Sequence, residues 1–66
     1  MVNYHVNNNA QANGDHEVHR DGCSFMPSNT TYLGVFNNCH DAVNAARRYY
    51  SQVNGCAFCA GACHTQ

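Results

Sequence analysis

Gly55-Cys56-Ala57-Phe58-Cys59, close to one end of a 66-residue chain, answers Val18-His19-Arg20-Asp21-Gly22-Cys23 nearer the other. Each run holds two potential ligands a few residues apart, as His19-x3-Cys23 and Cys56-x2-Cys59. Two short-spaced pairs at opposite ends of a compact unit are what a tetrahedral zinc site requires. The x2 spacing lets both thiolates turn toward one ion, and Gly55 suits the tight turn beside them. Three thiolates and one neutral imidazole leave no coordination position for water. The expected ion is therefore Zn2+, and the expected role of His19, Cys23, Cys56 and Cys59 is structural.

The composition explains why such a staple is needed. Val, Leu and Phe together number ten, and Ile and Trp are absent. So few large apolar side chains cannot give a 66-residue chain a self-sufficient core, and a small domain in that position uses disulfides, a metal or a partner. Zinc can supply on the order of 10 kcal/mol of folding free energy to such a domain. The length predicts one domain over residues 1–66 and excludes a multidomain enzyme, a membrane span and a coiled coil. Net charge is −1, and Arg20, Arg47 and Arg48 are the only fixed cations. Three arginines are few for duplex DNA, where contacts to phosphate supply much of the affinity.

Between the ligand pairs the periodicity changes. Val2, Tyr4 and Val6 alternate with Asn3, His5 and Asn7, which predicts a half-buried strand. His16–Arg20 predicts a second strand returning antiparallel after the polar stretch Asn7–Asp15. Thr30–Phe36 is the best strand by composition, and Gly34 within it suggests a bulge or a close backbone approach. Ala42, Val43, Ala45, Ala46, Tyr49, Tyr50 and Val53 then recur at three- and four-residue spacing. This predicts an amphipathic helix of three to four turns, N-capped by Asn38 and stopped at Asn54-Gly55 by the left-handed freedom of glycine. The expected fold is α+β: a three-stranded antiparallel sheet, one helix and a C-terminal cysteine knuckle, stabilised by zinc.

The remaining cysteines and histidines fit around this frame. Cys63 either replaces one of the four ligands or pairs with Cys39 in a disulfide, the latter in an oxidising compartment. Five cysteines are an odd number, which favours metal ligation over a pure disulfide framework. His16 lies three residues before His19 on a strand, so the two point to opposite faces. The first ten residues carry neither a charged start nor an apolar run of signal length, so a cytoplasmic location is expected, with no membrane association. No Ser/His/Asp set, phosphate loop or poised carboxylate pair is present in the sequence, so no enzymatic activity is expected.

The runs Val18–Cys23, Phe25-Met26-Pro27, Val35-Phe36, Asp41-Ala42, Ala45-Ala46 and Gly55–Cys59 together resemble the Ada-type metal-binding domain of DNA methyl-phosphotriester repair proteins and their small relatives. The resemblance spans roughly residues 16–60. It implies a zinc domain in which two ligands three residues apart pair with a knuckle after the helix. The position of the methyl-accepting cysteine in the repair proteins is His19 here, and an imidazole is not that nucleophile. The resemblance therefore implies zinc binding by His19, Cys23, Cys56 and Cys59 and no methyl transfer. The function expected is a non-catalytic interaction module with a protein or nucleic-acid partner. The alternatives are a nucleic-acid-binding module by family analogy, and a thiol-redox or disulfide-stapled protein.

Overall fold

The computed structural model describes residues 1–65. Its strands are β1 (Val2–Asn7), β2 (His16–Arg20), β3 (Thr30–Phe36) and β4 (Val53–Gly55), with one helix, α1 (Cys39–Ala46), and a 3₁₀ turn at Gly61–Cys63. They form a four-stranded mixed sheet in the order β3-β1-β2-β4. β1 runs antiparallel to both β2 and β3, whereas β4 runs parallel to β2.

Strand alternation sorts the two faces. Tyr4, Val6 and Val18 are buried under α1, where they meet Ala42, Val43 and Ala46, with Val2, Leu33, Phe36, Tyr50 and Val53 at the edges. Their strand neighbours His5 and His19 are paired across β1 and β2 and project to the opposite face. One face of the sheet is thus the small apolar core, and the other is left for polar chemistry. The bulge expected at Gly34 is present. Tyr4 faces Gly34 and His5 faces Tyr32, which leaves Leu33 between them, and Gly34 has φ +123°.

The expected three-stranded antiparallel sheet is corrected to four mixed strands, and the expected helix is shorter. Asn38 caps it as anticipated, its Oδ1 accepting from the Asp41 N–H at 2.9 Å. The helix ends at Ala46, however, and the apolar spacing beyond it serves other structures. Tyr50 stacks on His16 with ring centroids 3.7 Å apart, and Val53 begins β4. The physical reason is the open edge of β2, whose backbone groups need partners. His16 N–H donates to Gln52 O and Cys56 N–H donates to Val18 O, both at 3.0 Å, so the chain runs back along that edge. Gly55 is not a left-handed helix stop. Its backbone does not have positive φ, and its missing side chain instead makes room for Cys63.

Candidate metal centre

β2 and β4 bring the two ligand pairs together. His19 projects from β2 to the polar face, and the Asp21-Gly22 turn, with Gly22 at φ +86°, brings Cys23 back toward it. The parallel register sets Gly55 opposite Val18, so Cys56 leaves β4 beside His19. The knuckle closes through Ala60 N–H donating to Cys56 O at 2.8 Å, while Arg20 N–H donates to Cys59 Sγ at 3.4 Å.

The result is a four-residue group, His19, Cys23, Cys56 and Cys59, whose donor atoms all lie within 4.8 Å of one another. Cys23 Sγ and Cys56 Sγ are 4.0 Å apart, and Cys59 Sγ is 3.7 Å from His19 Nδ1. A tetrahedral ion with Zn–S near 2.3 Å and Zn–N near 2.0 Å has edges of about 3.8 Å between sulfurs and about 3.6 Å between sulfur and nitrogen. The group is geometrically able to hold a metal ion, and its edges suit one of that size.

The electrostatics point the same way. Burial, above all, holds the His19 imidazole below its ordinary value, with His5 adding to the effect and the Glu17 charge opposing it. A neutral imidazole is the form that binds a metal. Burial pushes the Cys59 thiol up to about 12, opposed by the Arg20 N–H and reinforced by Cys23 and Cys56. At Cys23 burial also acts upward, but hydrogen bonds involving Cys59, Cys56 and the backbone at Phe25 and Met26 outweigh it and lower the thiol. Three crowded thiols cannot all ionise together unless a cation neutralises them.

His19 supplies a second sign. It is 1 % exposed, and its Nε2 has no hydrogen-bond partner. With Nδ1 facing the sulfurs, Nε2 carries the ring proton once a metal binds, and it faces Glu17 Oε1 at 3.4 Å. A carboxylate behind the distal nitrogen is the usual support of a metal-bound histidine. Glu17 lies two residues before His19 on β2, so strand alternation could have marked it.

Cys39 and Cys63 lie outside this group and are joined by a disulfide across 24 residues. Their sulfurs and His40 also approach one another closely, but disulfide sulfurs are not thiolate ligands. His16 faces away from the centre, with Nδ1 2.9 Å from Asn7 O, and His5 Nε2 meets Asp21 Oδ1 at 2.6 Å. No described helix is long and apolar enough to cross a membrane. Compared with protein-family models, curated proteins and solved structures, the chain matches none.

Proposed function

We propose that this chain is a structural zinc-binding mini-domain acting as a non-catalytic interaction module, with a ligand layout of the Ada type. The observation that carries this reading is the convergence of His19, Cys23, Cys56 and Cys59 within 4.8 Å. Zinc is favoured over other metals because three thiolates and an imidazole match its preferred donors in a closed tetrahedral site. With all four positions filled by protein, the ion presents no open site for substrate, which supports a scaffold role. Native mass spectrometry tests the reading. One zinc per folded chain is expected, and Cys56→Ser should lose both the metal and the fold. A well-folded chain without metal would sink it.

The Cys39–Cys63 bond supports the disulfide-stapled reading as an addition to zinc rather than a rival. It also pulls against the cytoplasmic location we favour, because cytosolic thiols are kept reduced. Thiol counting in protein isolated under native conditions separates the cases. Thiols blocked until a chelator is added are on metal, and those freed only by a reductant are in the disulfide.

A further inference from the structure

Beside the metal centre, a cavity of about 350 Å³ opens on the polar face of the sheet. Glu17 and His19 line it together with Phe25, Pro27 and Phe58. Phe25 and Phe58 stack on each other with centroids 4.3 Å apart, yet they are 58 % and 76 % exposed. Two phenyl rings facing water in a chain so poor in large apolar residues are held back from a core that could have used them. Phe58 lies inside the knuckle and Phe25 two residues beyond Cys23, so folding around the metal brings the two rings together.

Among the described residues, Glu17 is the only formally charged one lining this cavity. Its side chain is 17 % exposed, and its polar contact among the described residues is Oε1 with His19 Nε2 at 3.4 Å. With Oε1 engaged by the His19 ring proton in the metal-bound state, a recessed carboxylate still has acceptor capacity left for a cation. Three thiolates and a zinc ion add one further negative charge next door. Aromatic rings and anionic charge lining one cavity together select an organic cation. Among such ions, a guanidinium is planar enough to lie against a phenyl ring and forked enough to engage a carboxylate with two hydrogen bonds, and it is less strongly hydrated than an ammonium. The cavity's size, at the small end of ligand clefts, suits one side chain.

We propose that this cavity binds the guanidinium of an arginine side chain presented by a partner polypeptide, with Glu17 as the counter-ion and Phe25 and Phe58 as the stacking wall. The proposal rests on the reading of the chain as an interaction module and names the chemistry of its partner.

The test is a nuclear magnetic resonance titration of the zinc-loaded chain with the capped tripeptide Gly-Arg-Gly, and with the same peptide carrying citrulline or lysine instead. Saturable shifts confined to Glu17, Phe25, Phe58 and their neighbours are expected for arginine. Lysine should bind more weakly and neutral citrulline not at all. Glu17→Gln, whose amide oxygen can still accept from His19 Nε2, should lower the affinity about tenfold or more, and Phe58→Ala a few-fold, each compared with the parent chain at saturating zinc. Equal binding of citrulline, an unaffected Glu17→Gln variant or no localised shifts would each overturn the proposal. The same resonances moving on simple concentration of the protein would assign the site to an arginine of a second copy and overturn the separate partner. Zinc content measured on the same samples separates the two readings. A zinc-loaded chain that ignores the peptide removes only the arginine site, and a metal-free chain that still binds it removes only the zinc.

Discussion

The two nitrogens of His19 face different groups, and the protons of the centre follow from that. Nδ1 looks toward Cys59 Sγ and Nε2 toward Glu17. Burial favours the neutral form of the imidazole, so the protons that oppose metal binding sit chiefly on sulfur. Cys59 keeps its proton to about 12 when no cation is near, and coordination must expel it. We therefore expect zinc uptake at pH 7 to release more than one proton per ion. Calorimetry in buffers of different ionisation enthalpy reads that number directly. Affinity should fall on acidification, since protons compete for the same thiolates, and it should fall more steeply once His19 also protonates, which burial moves to more acidic pH than for an ordinary histidine. Release of no protons would mean that zinc binds elsewhere. At this scale much was legible in the sequence. The spacings His19-x3-Cys23 and Cys56-x2-Cys59 single out the four residues that the fold brings together. The distant partnership of Phe25 with Phe58 was not legible, because no periodicity relates two loop residues.

At the scale of elements, the polar connection β1–β2 and the short β4 hold each other in place. Asp15 is 1 % exposed and accepts from Gln52 Nε2 at 2.8 Å and Asn54 Nδ2 at 3.4 Å. Asn54 in turn accepts from Gly55 N–H and Thr65 N–H, both at 3.0 Å, so one buried carboxylate organises the strand that delivers Cys56. Asp15→Ala leaves the buried Asn54 Nδ2 without this acceptor and should cost about 2 kcal/mol in denaturant unfolding of the metal-loaded chain. Gly55→Ala tests the next link. A Cβ there would sit 2.7 Å from Cys63 Cβ and 2.8 Å from Ala60 O, so the knuckle must shift. We expect about 1–3 kcal/mol of destabilisation and a weaker zinc site, read by competition with a chelator. Unchanged affinity would show that β4 and the knuckle move independently. The strands β1, β2 and β3 were readable from alternation and composition. β4 was not, because Val53 also continues the apolar spacing of the helix. What makes it a strand is the unpaired edge of β2, a tertiary demand that no local pattern records.

At the scale of the whole molecule, a disulfide and the proposed metal centre act on one weak core. Phe25, Val35 and Phe58 are exposed, so the large apolar side chains left to bury are few, and alanines fill much of the space between sheet and helix. The disulfide fastens the 3₁₀ turn to the start of α1, and a metal held by His19, Cys23, Cys56 and Cys59 would fasten the knuckle to β2. They meet at Gly55, where Cys63 packs against the residue preceding Cys56. Their strengths are unequal. Closing a loop of 24 residues contributes about 3 kcal/mol by restricting the unfolded chain, whereas a structural zinc site contributes on the order of 10 kcal/mol. Reduction with zinc retained should therefore lower Tm by roughly 10–20 °C and leave the fold intact. Chelation with the disulfide intact should unfold the chain, because 3 kcal/mol cannot offset the conformational entropy that so small a core leaves uncompensated. Circular dichroism melts under the four combinations of reductant and chelator make the comparison. A chain that keeps its secondary structure and cooperative melt after chelation, and loses them only on reduction, would transfer the principal stabilising role from the metal to Cys39–Cys63.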